Sequence, residues 1–144
     1  MTEPLFHRIL IATDGSEKNR AALEEAIRVG SQSPGTTLYA VYVIDTGTFS
    51  TMSADIPLGD TYSVFRAEAE QAFARIRSLA GNTRVETTLL EGRPATEIVK
   101  FATKKKIDLI VIGTQGKRGL ERLLLGSVAE EIIRSAPCRV LVVK

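Results

Sequence analysis

The sequence holds one cysteine and one histidine in 144 residues, and neither sign of charge dominates it. With Cys138 as its only thiol, the chain can form no internal disulfide and no cysteine-based zinc cluster. Cys138 opens the apolar run Cys138-Arg-Val-Leu-Val-Val143, where a thiol acts as a small buried hydrophobe. His7 stands at the start of the first apolar run, away from the edge where a ligand is expected. No Ser-His-Asp set can be built around it, and no His, Asp or Glu cluster has metal-site spacing. The 19 basic and 17 acidic residues leave a net charge of +2, so charge gives no case for nucleic acid or an anionic membrane as partner. Lys104-Lys-Lys106 is the densest basic run, without interleaved aromatic residues beyond Phe101, and reads as the solvated end of a helix. No stretch approaches the ~18 apolar residues of a membrane span. Met1-Thr-Glu-Pro4 runs straight into a strand pattern with no room for a signal peptide, so a cytoplasmic location is expected.

What the chain does contain is ordinary globular material, 44% hydrophobic and 25% charged, in a length that suits one domain over residues 1–144. Short apolar runs alternate with helix-period stretches. Ile9-Leu-Ile-Ala12, Leu38 to Ile44, Leu109-Ile-Val-Ile112 and Val140-Leu-Val-Val143 are apolar on both faces, the mark of parallel strands covered on both sides. Val85 to Leu90 is more polar and reads as an edge strand. Between the runs lie four helices. The first spans about residues 17–29, with Ala22, Leu23, Ala26 and Ile27 inward, and is stopped by Gly30 and Ser33-Pro-Gly35. The second carries the stripe Phe65, Ala69, Ala72, Phe73, Ile76 and Leu79, with Arg66, Glu68, Glu70, Arg75 and Arg77 outside it. Ala95, Ile98, Val99 and Ala102 mark the third, and Val128, Ala129, Ile132, Ile133 and Ala136 the fourth. This order predicts an α/β fold: a three-layer, doubly wound, Rossmann-like five-stranded parallel sheet with four helices. Residues 45–61 break the pattern, with Gly47, Pro57 and Gly59 and no periodicity, and read as a functional loop.

The chemistry gathers at two strand ends. The first strand runs into Thr13-Asp14-Gly15-Ser16; the fourth runs into Gly113-Thr-Gln-Gly116, with nine residues before Gly126-Ser127 and a helix. Ligands of open α/β sheets bind beyond the carboxyl ends of the strands, where the strand order reverses, and both segments fall on that edge. Glycines let an anion approach backbone N–H groups closely, and Gly113 and Gly116 are candidates for positive φ. A helix opening at Ser127 adds its dipole. Ser127 and Glu130 have capping-box spacing, and the hydroxyl could equally turn to a phosphate oxygen. Lys117 and Arg118 are either charge clamps over phosphates or loop cations. Asp14 suits a ribose hydroxyl, a divalent ion such as magnesium or manganese bridging phosphates, or a helix cap. The pattern is neither a P-loop, since no Lys-Ser/Thr pair closes it, nor the dinucleotide fingerprint, which follows the first strand.

In Ile9-Leu-Ile-Ala-Thr-Asp14-Gly-Ser16, Val43-Ile-Asp45, Leu109 to Gly116, Gly126-Ser-Val-Ala-Glu130 and Pro137 to Val143, the chain resembles the ATP-binding branch of the universal stress protein family. The resemblance covers nearly the whole chain. It implies an adenine nucleotide (ATP, or AMP or ADP) with Asp14 at the ribose or the phosphate–metal end, and the Val43 backbone at adenine. Gly113, Gly116, Gly126, Ser127 and Val128 would wrap ribose and phosphates. It also implies a homodimer through the last strand, Val140 to Val143, and a role in stress survival. The apolar character of that strand argues separately against leaving it exposed at an edge. Gln115 departs from the histidine or arginine that many relatives carry before the second glycine, which removes a positive contact. The expected function is a nucleotide-dependent sensor or regulator. The alternatives are a slow magnesium-dependent ATPase or phosphotransferase, whose rate would come from positioning rather than from a general base, and a protein-interaction module that binds no nucleotide.

Overall fold

The computed structural model describes residues 3–16, 19–46, 58–114 and 126–144, with the backbone alone for 58–61. Five strands and four helices alternate: β1 (Arg8–Thr13), α1 (Arg20–Gly30), β2 (Thr37–Asp45), α2 (Leu58–Ala80), β3 (Arg84–Gly92), α3 (Pro94–Lys104), β4 (Leu109–Gly113), α4 (Ser127–Ser135) and β5 (Arg139–Val143). All four strand pairings are parallel, in the order β3-β2-β1-β4-β5. The order reverses between β1 and β4, and the polar strand β3 lies at an edge as its composition predicts.

Why the central strands are apolar on both faces follows from the two cores. Ile9, Ile11, Leu38, Ala40, Tyr42, Leu109 and Val111 face one layer, against Ala22, Leu23 and Ala26 of α1 and Ala69, Phe73 and Ile76 of α2. Alternate residues of the same strands, Leu10, Tyr39, Val41, Ile110 and Ile112, face the other, against Ala95, Ile98 and Phe101 of α3 and Ala129 and Ile132 of α4. Successive strand side chains point to opposite faces, so a strand sandwiched between helix layers must be apolar throughout.

Several local expectations need correction. The second helix opens at Leu58, inside the stretch expected to lack structure, while residues 47–57 lie outside the described residues. Its stripe closes on Ala80, which is 5% exposed, and not on Leu79, which is 47% exposed. At about 100° per residue, Ala80 lies some 40° round the helix from the buried Ile76 and Leu79 some 60° to the other side. On α4 the covered stripe is narrower than expected: Ala129 and Ile132 are buried, while Val128 and Ile133 are 40% and 44% exposed. That helix covers the end of the sheet formed by β4 and β5, where β5 is the last of the described strands. The first helix is described from Arg20; Gly30 is its last residue and Ser31 follows as its cap. Gly113 ends β4 without the positive φ that it was a candidate for.

Candidate functional site

The crevice at the reversal is made by strands of unequal reach. Pairing of β1 with β2 ends at Thr13 and Tyr42, whereas β2 continues beside β3 to Asp45 and Gly92. On the other flank, β1 pairs with β4 to Ile11 and Val111, and β4 continues beside β5 to Gly113 and Val143. The end of β1 thus sits between two projecting walls, Val43 to Asp45 on one side and Ile112 and Gly113 on the other.

The turn at the bottom of this crevice is held by its own side chains. The Gly15 amide donates to Thr13 Oγ1 at 3.2 Å. Asp14 Oδ1 accepts from the Ser16 amide at 2.8 Å and from the Ser16 hydroxyl at 2.6 Å, an Asx-type turn. Asp14 therefore does not cap α1, whose preceding residue is Asn19. Its second oxygen, Oδ2, accepts no hydrogen bond from the described residues. Gly15 has φ +78°, a conformation that suits glycine.

Beneath the turn lies a pair that composition and pattern did not single out. The Tyr42 hydroxyl donates to Glu68 Oε2 at 2.7 Å. Burial, the bond to Glu68 and the charges of Glu68 and Asp14 all push the Tyr42 phenol above its ordinary range. Glu68 was expected on the solvated face of its helix, and it is instead half-buried. Its signal was its spacing: Glu68 stands four residues before Ala72 and eight before Ile76, on the buried face.

On the β4 side, the Gly126 amide donates to the Thr114 carbonyl at 2.8 Å, and the Thr114 amide to the Val143 carbonyl at 3.2 Å. These bonds bring Thr114, Gly126 and Val143 together. Gly126, and not Ser127, is the residue before α4; Ser127 is its first helical residue, so the expected capping box is absent. No side chain among the described residues caps this helix start, and the first helical bond runs from the Glu130 amide to Gly126. Glu130 instead pairs with Arg134 at 3.1 Å. Three backbone N–H groups, of Ser127, Val128 and Ala129, thus precede the first intrahelical donor, the usual anion-receptive end of a helix.

Thr13, Asp14, Val43, Gly113, Gly126, Ser127 and Val128 all fall on this one edge of the sheet. Thr13 is 8% exposed at the end of β1, and Val43 is half-buried on the face that meets α3 and α4. Gly116 and Lys117, with Gln115 and Arg118, lie outside the described residues. His7 is exposed at the opposite edge, where Asp108 Oδ2 accepts its amide at 2.8 Å. The Lys104-Lys-Lys106 run is exposed at the end of α3. Cys138 is half-buried, and burial raises its thiol pKa above the usual value. No group of three metal-ligating side chains occurs among the described residues, and no helix among them is long and apolar enough to cross a membrane.

An open parallel sheet with a glycine turn after its first strand and a helix start beyond its fourth defines a doubly wound α/β protein with a crevice at its switch point. Comparison with known proteins is more specific. The chain belongs to the universal stress protein family, whose model matches residues 5–144. It is 43% identical to the universal stress protein MJ0531 of Methanocaldococcus jannaschii over 144 residues, which span 99% of this chain and 84% of that protein. Its fold is similar to that of universal stress protein UspA from Lactobacillus plantarum, with TM-score 0.77 and 28% identity, covering 96% and 97% of the two chains. It is also similar to a universal stress protein solved in complex with cAMP, with TM-score 0.70 and 26% identity over 96% of each chain.

Proposed function

We propose that this protein binds an adenine nucleotide, ATP or a mono- or diphosphate, across the ends of β1 and β4 and acts as a nucleotide-dependent regulator in the stress response. The observation that carries this reading is the start of α4 after Gly126, whose amide is held by Thr114, with the Ser127, Val128 and Ala129 amides unbonded among the described residues at the same sheet edge as Asp14. In this reading Gly113, Gly116, Gly126, Ser127 and Val128 hold ribose and phosphates, with Lys117 as charge clamp. The Val43 backbone, on the wall that outreaches β1, meets adenine, and Thr13 and Asp14 meet the ribose. The relative solved with cAMP supports the adenine part of the reading.

A divalent ion fits here only as a companion of the phosphates. Asp14 offers one carboxylate, and its Oδ1 is already engaged by Ser16. Magnesium or manganese would thus take most of its ligands from phosphate and water. The exposed Val128 and Ile133, with the half-buried edge strand β5, favour a homodimer through Val140 to Val143.

Nucleotide extracted from freshly purified protein and identified by mass tests this reading, together with calorimetric titration of ATP, AMP and cAMP. The expected result is an adenine nucleotide in the extract, and affinity lost in Asp14→Ala and Gly116→Val while both variants keep their fold. Phosphate release abolished by Asp14→Ala would turn the reading toward a slow ATPase. No adenine nucleotide in the extract and no heat on titration would overturn it.

A further inference from the structure

The Asp14 turn is internally complete, because Ser16 and Thr13 supply its hydrogen bonds. Those bonds shape the turn but do not fix where it stands relative to β2. A closed ring of contacts does. Thr13 pairs with Tyr42 across the β1–β2 ladder. The Tyr42 hydroxyl, on a side chain 3% exposed, donates to Glu68 Oε2 at 2.7 Å. Glu68 returns to the turn, since a Cβ on Gly15 would lie 3.3 Å from Glu68 Cγ and 3.5 Å from its Oε1. Below this contact the turn borders a small hollow between α1 and α2, lined by Thr13, Ser16, Asn19, Leu23 and Ala72 among others. Asn19 Oδ1 is buried there without a hydrogen-bond partner. From α2, Ala72 and Arg75 line this hollow, and Glu68 is the α2 side chain that meets Gly15.

We propose that Glu68 is a positioning residue for the nucleotide site: anchored by Tyr42 and packed under Gly15, it sets the Asp14 carboxylate against the projecting end of β2. The inference rests on the nucleotide reading for its consequence in binding, and on the contact ring alone for its consequence in the turn. Shape and acceptor capacity carry the role. The amide carbonyl of glutamine can accept from Tyr42 and fill the same space, whereas alanine leaves the turn unsupported and the Tyr42 hydroxyl without its acceptor.

The test compares Glu68→Ala, Glu68→Gln and Tyr42→Phe with the unaltered chain. AMP and ATP affinities are measured by calorimetry, and hydrogen exchange of the Gly15 and Ser16 amides is followed in the ligand-free protein. Glu68→Ala is expected to weaken nucleotide binding about tenfold and to speed exchange at both amides by a similar factor, with Tyr42→Phe moving both in the same direction. Glu68→Gln is expected to restore both to within about twofold of the unaltered chain, a rescue that a requirement for the negative charge would not show. Unchanged exchange at Gly15 and Ser16 in Glu68→Ala, or a loss in Glu68→Gln as large as in Glu68→Ala, overturns the proposal. If Glu68→Ala does not fold, Tyr42→Phe decides by the same two readouts. If the unaltered chain binds no nucleotide, the functional reading fails and the exchange comparison still decides the positioning role.

Discussion

Gly126 approaches the Thr114 carbonyl so closely that a Cβ on it would lie 3.3 Å from that oxygen, while its amide donates to the same oxygen at 2.8 Å. One glycine thus both meets Thr114 and precedes α4. Its φ of −73° is open to any residue, so close approach is what demands glycine here. Gly126→Ala must push the Thr114 carbonyl away by a few tenths of an ångström. The expected cost is about 1 kcal/mol, the usual penalty for alanine before a helix. Chemical denaturation measures that loss, and calorimetric titration should show weaker nucleotide binding in the same variant.

The buried stripe of α2 predicts a contrast between two neighbouring positions. Ile76 is fully buried and Leu79 is 47% exposed. Ile76→Ala should cost about 2–5 kcal/mol through lost burial and the cavity left behind. Leu79→Ala should cost less than about 1 kcal/mol. Equal losses in denaturant titrations of the two variants would show that the stripe has been drawn wrongly.

At the opposite edge of the sheet, Asp108 accepts the His7 amide on Oδ2 at 2.8 Å and the Arg8 amide on Oδ1 at 3.0 Å. The Asp108 amide in turn donates to the Arg8 carbonyl at 3.0 Å, so this side chain fixes the entry of β1 beside β4. Asp108→Ala is expected to lose about 1–3 kcal/mol of stability, and Asp108→Asn, which keeps one acceptor oxygen, less than that. Nucleotide affinity should change in neither variant, because the ligand edge lies at the other end of the strands. A shifted dissociation constant would contradict that separation.

All three tyrosines have phenols raised above the ordinary value near 10, each with a carboxylate among the causes: Glu86 for Tyr39, Glu68 for Tyr42 and Glu91 for Tyr62. Burial is the larger cause for Tyr39 and Tyr42, and the Glu91 carboxylate for Tyr62. A raised folded pKa means that the fold favours the neutral phenol. That stabilisation is complete below the unfolded pKa of about 10 and is lost as pH rises through the folded values. Phenolate absorbance of the native protein should therefore appear at higher pH than in denaturant, and melting temperature should fall as pH climbs above about 10. Tyr42→Phe should flatten part of that alkaline decline. A native titration that overlays the denatured one would disprove the assigned environments.

The sequence alone determined the alternation of strands and helices, the parallel three-layer sheet, and the edge on which Asp14 and Gly113 fall. These are matters of period and order: runs apolar on both faces require cover on both sides, and right-handed crossovers leave few topologies. Only the tertiary structure decided that Tyr42 reaches Glu68, that Thr114 meets Gly126, and that Val128 and Ile133 stay uncovered. Such pairs depend on strand register and on the rotation of a helix about its axis. A turn of about 100° separates Leu79 from Ala80, and a helical glutamate reads as solvated until a phenol from a distant strand is placed against it.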